Sequence, residues 1–231
     1  PLRGPVSGAP APELGENDYN NYDFAPSRML LWMANQQHLY FGSFVLAVPI
    51  FCMIIEFVGI RTRESDPVMG AKYDALAKDL MKVSLTAYSW TAILGGILLF
   101  TFITLFPGFF KYMATIFRPV MHVYALMFLA ESGILYVYYY GWDRMNDGGF
   151  LKWVHCSISV LLNLVGTVLM YLANSWATFM QAPGGIDEQG RFLGNIWHVI
   201  HSTLWNPVGV HRILGNIVFG GGIVGAYAAY H

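Results

Sequence analysis

Residues 118–144 read RPVMHVYALMFLAESGILYVYYYGWDR. The stretch is long and apolar enough to cross a membrane as a helix, yet it carries His122 near its start and Glu131 in its middle. An ionisable side chain is costly in hydrocarbon, so its presence within a span is a functional hypothesis by default. The tetrad at 141–144 adds an aromatic ring and two charges, which mark the return to water. We therefore expect the other spans to supply partners for this helix.

The composition places the chain among helical membrane proteins. Of its 231 residues, 55% are hydrophobic and only 12% are charged, whereas a soluble domain has about 25% charged residues. The mean hydropathy is +0.45, so we expect lipid to cover much of the surface. The formal net charge of -1 gives no indication of nucleic-acid binding. Cys52 and Cys156 both lie in apolar runs, so we expect packing residues rather than a disulfide.

Apolar runs predict an all-α integral membrane protein with five transmembrane helices and one interfacial helix. The predicted spans are 28–60, 83–106, 118–144, 151–179 and 208–231. Residues 1–26, rich in Pro, Gly, Ala and Asn, are expected to form an extramembrane extension. The interfacial helix is expected within 181–207, where tryptophans alternate with histidines. Lysine and arginine are concentrated in 61–82, which favours a cytoplasmic location for that loop and an outer N-terminus.

This topology puts three histidines at one depth. His38, His122 and His211 each lie near the start of a span that begins on the outer side. Two histidines on different helices at one depth suit axial ligation of a b-type haem, in which neutral imidazole binds the iron. The alternative is that each histidine is an interfacial anchor. His198 and His201 are spaced to share a helical face, but a zinc site has no third ligand in sight, so we expect anchoring there.

Four roles are open for Glu131. It could be a proton carrier, a haem ligand, the partner of a cation, or a neutral group hydrogen-bonded to a neighbouring helix. Asp143 and Arg144 are expected to form a surface ion pair. Asn163 and Asn174 are spaced to share a helical face, either along a hydrated path or in hydrogen bonds between helices.

Five segments along the chain carry a resemblance to a known family. They are Ser27-Arg28 with His38, MIIEFVGIRT (53–62) with Glu56, FLAESGILYVYYYGWDRM (128–145) with Glu131, NLVGTVLMYLANSWATFMQAP (163–183) with Asn163 and Asn174, and Asn206-Pro207. Together they resemble subunit I of the cytochrome bd quinol oxidases. The resemblance implies that His38 matches a ligand of a high-spin haem. It also implies that Glu131 matches a functional carboxylate near the haems.

The sequence departs from that family at two positions. The family has a second carboxylate eight residues before the matching glutamate, where this chain has Val123 beside His122. The histidine that binds the low-spin haem in the family's fifth span falls on Gly215, and His211 lies one helical turn earlier. The family also continues into a quinol-binding loop and four more spans, for which these residues have no counterpart. Either another subunit supplies that half, or a shortened homologue holds haem without being an oxidase.

The resemblance implies a membrane-embedded b-type cytochrome subunit that resembles the N-terminal half of its relatives. Residues 27–231 would form a five-helix haem-binding domain with one or two b haems, with quinone as a further candidate cofactor. Electrons would pass between haem and quinone, quinol or a partner cytochrome, within a larger respiratory complex of membrane and redox subunits. Membership of a quinol-oxidising or oxygen-reducing enzyme complex is left open. The expected location is a bacterial or archaeal inner membrane, crossed several times.

The expected site residues follow from the same comparison. His38 and His211 are the expected haem ligands, His122 competes for either role, and Glu131 is the expected proton carrier or neighbour of the haem ligands. A haem-free anchor that docks soluble redox subunits is the main alternative. A small transporter would need helices broken near the midplane, and the only hint of that is the glycine run at 220–222.

Overall fold

The computed structural model describes residues 11, 20, 22–147 and 149–230. Within them, all regular elements longer than an isolated bridge are α-helices. The helices are α1 (Ser27–Arg63), α2 (Pro67–Leu105), α3 (Pro107–Gly141), α4 (Phe150–Gln181), α5 (Ile196–Ile200) and α6 (Trp205–Tyr230). Five of them, all except α5, are long and apolar enough to cross a membrane. The predicted all-α fold of five spans and one further helix is confirmed.

Two helices begin earlier than the apolar runs predict. The charged segment after α1 is the start of α2, and α3 continues through Arg118 and Pro119 without a break. Pro67 and Pro107 each open a helix, where the missing N–H has no intrahelical partner to lose. The Asp66 side chain accepts a backbone N–H of the first turn of α2 at 2.9 Å. The helices extend beyond the predicted span starts at 83 and 118, because capping and proline, rather than hydrophobicity, set the helix ends.

The chain divides into two compact units, and each long helix contributes residues to both. Unit 1 contains the described residues up to His38 together with Ile93–Leu126 and Leu169–His211. Unit 2 contains Leu39–Ala92, Met127–Val168 and the described residues from Arg212 onward.

Unit 1 has its own apolar core. Met113 and Phe117 of α3 pack there with Phe179 of α4 and with Val199 and Ile200 of α5. Of the predicted extension, Ala11, Asn20 and 22–26 are described, and the other residues of 1–26 lie outside the described part.

The two isolated residues of the extension attach to unit 1. The backbone N–H of Ala11 donates to the carbonyl of Gln189 at 2.9 Å. The Asn20 side chain donates to the carbonyl of Thr104 at 2.7 Å, and both Ala11 and Asn20 are exposed.

The glycine run of α6 serves helix packing in unit 2. A Cβ on Gly220 would lie 2.5 Å from the Cβ of Ala47, and one on Gly221 would lie 3.2 Å from the Phe51 ring. Glycine at these positions lets α6 approach α1 closely, which is its usual role in membrane helices. α6 runs unbroken from Trp205 to Tyr230, so the broken helix that a transporter would need is not found there.

Candidate functional site

Four ionisable side chains from three helices come together in the interior of unit 2. Glu56 of α1, Asp74 of α2, and Lys152 and His155 of α4 are exposed by 0%, 6%, 2% and 0%, respectively. Lys152 lies between the two carboxylates. Its Nζ is 2.7 Å from Oε1 of Glu56 and also pairs with Oδ1 of Asp74. We call these four residues the charge cluster.

Helix geometry explains why the cluster forms. Lys152 and His155 are three residues apart on α4, so both point to one face of that helix. Glu56 lies near the end of α1, and Asp74 lies near the start of α2. The connection after α1 also meets the connection after α3, where Arg63 donates to Oδ1 of Asn146 at 3.3 Å. The charge cluster therefore occupies the end of unit 2 that holds these two connections.

His155 holds a proton between itself and Glu56. Its Nε2 lies 2.7 Å from the backbone carbonyl of Tyr138, which can only accept, so Nε2 carries a hydrogen. Its Nδ1 lies 2.5 Å from Oε1 of Glu56, and two lone pairs at that separation would repel. A second proton therefore lies between Nδ1 and the carboxylate. The Tyr138 hydroxyl donates to the other carboxylate oxygen of Glu56 at 2.7 Å.

Asp74 is held by donors from three side chains. Nε1 of Trp142 donates to it at 3.1 Å and Nδ2 of Asn146 at 2.7 Å, in addition to Lys152. Trp142, the tryptophan of the tetrad at 141–144, is fully buried, and Nζ of Lys152 lies 4.8 Å from the centre of its ring.

The charges of the cluster balance. With the shared proton, Lys152 and His155 offset the carboxylates of Glu56 and Asp74. A buried charge without a partner destabilises a protein strongly, whereas a paired and hydrogen-bonded set is tolerated. The cluster is therefore stable in the interior only as a complete set.

The aspartate of the tetrad has a different partner from the one expected. Asp143 pairs with Lys78 of α2, and the two charged atoms lie 2.5 Å apart. Arg144, the expected partner, is exposed. The predicted Asp143–Arg144 ion pair is wrong because the end of α3 packs beside α2, which brings a lysine to the aspartate.

Glu131 is buried in a different part of unit 2. It is 5% exposed and lines a cavity of about 10 Å³ together with Tyr88, Asn163 and Gly166. A Cβ on Gly166 would lie 2.8 Å from Oε1 of Glu131, so the carboxyl group packs against bare helix backbone. Among the described residues, Glu131 has no hydrogen-bond or ion-pair partner. The cavity has room for about one water molecule.

The two asparagines of α4 lie in different units. Asn163 donates to the carbonyl of Pro49 in α1 at 3.3 Å, a hydrogen bond between helices, which is one of the two roles left open for it. Asn174 is fully buried in unit 1.

The three candidate haem ligands all lie in unit 1, in different surroundings. His38 is half-buried, and its ring lies so close to α2 that a Cβ on Gly95 would be 3.0 Å from its Cε1 atom. His122 and His211 are exposed, and neither has a hydrogen bond, ion pair or ring contact with another described residue. No contact in the described part of the chain brings any two of the three together.

His198 and His201 do not form a helical pair. α5 ends at Ile200, so His201 lies beyond the helix, and its Nδ1 turns back to the carbonyl of Trp197 at 2.9 Å. Its ring also packs against Trp205 with ring centres 4.4 Å apart. Within the described ranges, no three His, Cys, Asp or Glu side chains come together to hold a metal ion.

Comparison with known families matches most of this chain. The family model described as cytochrome bd terminal oxidase subunit I matches residues 27–231. The chain belongs to this family. No curated protein matches it.

A member of the bd subunit I family is expected to bind haem, and the donors in unit 1 fit that group in their chemistry. A b-type haem needs one or two neutral imidazoles. Of the three candidates, His38 is the half-buried one, and its ring lies beside Gly95, where a Cβ would be 3.0 Å from its Cε1 atom. His122 and His211 are exposed, so either would bind iron at the surface of unit 1, beneath lipid or another subunit.

The charge cluster of this bd-family chain is the part that the sequence analysis missed. Glu56 was singled out, but Asp74, Lys152 and His155 were not assigned to a site. The sequence does contain a signal for this cluster, because the predicted topology places the end of span one and the start of span four on the same side of the membrane. Applied to that side, the depth argument used for the outer histidines would have grouped Glu56 with Lys152 and His155.

Proposed function

We propose that this bd-family chain is a haem-binding electron-transfer subunit of a larger respiratory complex. It would carry one or two b haems and exchange electrons with quinone, quinol or a partner cytochrome. Membership of the bd subunit I family over residues 27–231 supports this function. The bound haem would supply the one-electron chemistry, and the residues of this chain would hold it and manage protons near it.

His38 is the ligand that we assign first. Neutral imidazole is a common axial ligand of b-type haem. The ring of His38 packs beside Gly95, and such packing helps a ligand to keep one orientation. His211 is our second ligand, and His122 is the alternative in the same unit. Both are open to a group that approaches from outside the five helices.

Glu131 is the proton carrier in this proposal, and its surroundings are the observation that supports the role most directly. It is buried, lacks a partner among the described residues, and lies beside room for about one water. A carboxyl group without a fixed cation or donor can take up and release a proton without breaking a structural contact.

The proposed setting is a bacterial or archaeal inner membrane, in a complex with other membrane subunits and redox subunits. Five helices able to span a membrane support a multi-pass location. His122 and His211 are exposed, so a haem on either would need cover from lipid or from a partner.

A reduced-minus-oxidised absorption spectrum of the purified complex tests the proposal. We expect a b-type band that is lost in His38→Ala and weakened in His211→Ala or His122→Ala, whichever is the second ligand. His198→Ala is the matched control, because it removes an exposed histidine of the same unit. A folded complex without a b-type band would refute haem binding.

One observation favours a second function, a haem-free anchor for soluble redox subunits. Two of the three candidate ligands, His122 and His211, make no hydrogen bond, ion pair or ring contact with any described residue, as expected for histidines that meet a partner protein. If the chain is a haem-free anchor, His38→Ala and His211→Ala would leave both the absorption spectrum and electron transfer of the complex unchanged.

A further inference from the structure

An open cavity lies beside the charge cluster in unit 2. Its volume is about 260 Å³, whereas one water molecule needs about 10–15 Å³. Residues around the end of α1 and the start of α4 line it, namely Ile60, Arg63, Glu64, Lys152 and Trp153. The cavity is therefore large enough for a group of several polar atoms. None of the residues to which the proposed function gives a role lines it.

The cavity presents one unpaired charge of each sign. Lys152 is already offset, because it pairs with the two carboxylates of the charge cluster. The Arg63 guanidinium donates to the neutral amide of Asn146 at 3.3 Å, and no carboxylate among the described residues pairs with it. The Glu64 carboxylate likewise has no hydrogen-bond or ion-pair partner in the described ranges. A ligand that matches both side chains carries an anionic group for Arg63 and a cationic group for Glu64.

Aromatic rings beside the cavity are typical of the edge of a membrane. Trp153 is 39% exposed, and its ring packs against that of Phe57 with ring centres 6.0 Å apart. Tryptophan is enriched at the level of the lipid headgroups. The Arg61 guanidinium lies 5.6 Å from the centre of each of these rings, as a cation does that stays above an apolar surface. Ile54 and Phe57 are exposed on the part of α1 that continues into the span.

We propose that this cavity binds the headgroup of a phospholipid that carries both a phosphate and a primary amine, as phosphatidylethanolamine does. The phosphate accepts hydrogen bonds from Arg63, because a planar guanidinium matches two phosphate oxygens. The ammonium group donates to the Glu64 carboxylate. The acyl chains lie along Ile54 and Phe57 towards the middle of the membrane. Lipid and cavity then offset each other's charges.

Related ligands fit the cavity less well. Phosphatidylglycerol has the phosphate but no cation, so its negative charge would lie near Glu64 without compensation. Phosphatidylcholine has both charges, but its methylated ammonium has no N–H to donate, so the charge-assisted hydrogen bond to Glu64 is lost. A soluble phosphate compound would satisfy Arg63 but would leave the exposed apolar surface of α1 unused. A lipid with a primary amine is the ligand that uses all of these features.

Native mass spectrometry of the intact complex tests the site. The purified complex is exchanged into detergent with equal amounts of phosphatidylethanolamine and phosphatidylglycerol that have the same acyl chains, and the most tightly retained molecules of each are counted. We expect wild type to favour phosphatidylethanolamine. Glu64→Gln should lower that preference by about threefold or more, because it removes the anion that the amine meets. Arg63→Gln should lower the retention of both lipids, because both carry the phosphate.

Asp79→Asn and Arg144→Gln are the matched controls, because each removes an exposed charge of unit 2 that does not line the cavity. Both should retain lipid as wild type does. Equal retention of the two lipids by wild type, or an unchanged preference in Glu64→Gln, would overturn the amine site. Full retention in Arg63→Gln would overturn the phosphate site. Displacement of the lipid by an equal concentration of phosphoethanolamine, the headgroup without acyl chains, would indicate a soluble ligand and overturn the lipid assignment.

Discussion

Nδ1 of His155 lies 2.5 Å from Oε1 of Glu56, although 99 positions separate the two residues in the chain. The contact joins α4 to α1 in unit 2, and both side chains are 0% exposed. Since the imidazole's other nitrogen donates to a carbonyl, one shared proton lies between Nδ1 and the carboxylate of Glu56. Lys152 and Asp74 then complete a buried set whose charges cancel. Each member of the set is therefore needed to offset the charge of another.

Replacement of Lys152 by methionine tests this balance. Lys152→Met keeps the length of the side chain but leaves one buried carboxylate without its cation, so we expect a loss of about 3–5 kcal/mol in the free energy of unfolding. Unfolding in detergent by heat or denaturant measures it. Lys78→Met is the control, because Lys78 pairs with Asp143, which is 81% exposed, and a surface pair contributes about 0–1 kcal/mol. Similar losses in the two variants would contradict the balance.

The second prediction concerns the coupling between Glu56 and Lys152. Glu56→Gln and Lys152→Met each leave an uncompensated charge, whereas the double variant removes one charge of each sign. We therefore expect the double variant to be less destabilised than the sum of the single variants by about 1–3 kcal/mol. A double-mutant cycle on the free energy of unfolding measures this. Additive effects would show that the 2.7 Å contact carries little energy.

The spans were predictable from sequence and the cluster was not, for a physical reason. A span needs only a long apolar run, and that signal is local. α2 starts at Pro67, ahead of the predicted span, because its first turns are charged and carry no long apolar run. The contact of Lys152 with Asp74 depends on how three helices pack, and no local pattern encodes that.

The residues of the predicted site differ in how far their surroundings follow from the sequence. Burial of Glu131 follows from its place in the middle of an apolar run, and α3 does bury it. The predicted topology puts His38, His122 and His211 at a common depth, and all three lie in unit 1. Depth does not fix the direction of a side chain around its helix, so the exposure of His122 and His211 could not be read from spacing.

A third prediction concerns the connection between α4 and α5. Burial opposes the charge of Asp187, but hydrogen bonds from the backbone and side chain of Arg191 outweigh it and lower the pKa of Asp187. The pKa is thus lower in the folded than in the unfolded state. The stabilisation is present above the ordinary aspartate pKa of about 3.9 and is lost as the pH falls through the folded value.

We therefore expect pepsin to cleave the 183–195 segment faster as the pH falls below about 4. In Asp187→Asn the cleavage rate should no longer depend on the charge at position 187. The rate for this variant at each pH therefore corrects for the pH dependence of pepsin itself. Glu188→Gln changes the neighbouring exposed carboxylate and should behave as wild type. Cleavage with one pH profile in wild type and Asp187→Asn would contradict the prediction.

The fourth prediction uses the glycine beside Glu131. A methyl group at position 166 would lie 2.8 Å from Oε1 of Glu131 and 3.2 Å from Cδ2 of Leu46. In Gly166→Ala we expect the flexible carboxyl group to move, which shifts its infrared carbonyl band and lowers turnover of the complex. Gly133→Ala is the control on α3, because a Cβ there meets nothing within 4 Å. An unchanged band in Gly166→Ala would mean that the glycine does not set the position of Glu131.

The last prediction separates His38 as a haem ligand from His38 as a packing residue. A methyl group at position 95 would lie 3.0 Å from Cε1 and 3.3 Å from Nδ1 of His38, whereas one at position 96 meets nothing within 4 Å. Both substitutions make the same chemical change on adjacent residues of α2. The ring of His38 can yield by a few tenths of an ångström, so Gly95→Ala should unfold at nearly the same temperature as wild type.

An axial ligand tolerates such a displacement poorly, since the iron fixes both the distance and the direction of its nitrogen. We expect Gly95→Ala to shift the b-type band or lower the ratio of haem to protein, and Gly96→Ala to leave both unchanged. If both variants keep the wild-type spectrum while His38→Ala loses it, the imidazole is needed but its contact with Gly95 is not. If His38→Ala also keeps the spectrum, His38 is a packing residue, and His122 and His211 are the two remaining candidate ligands.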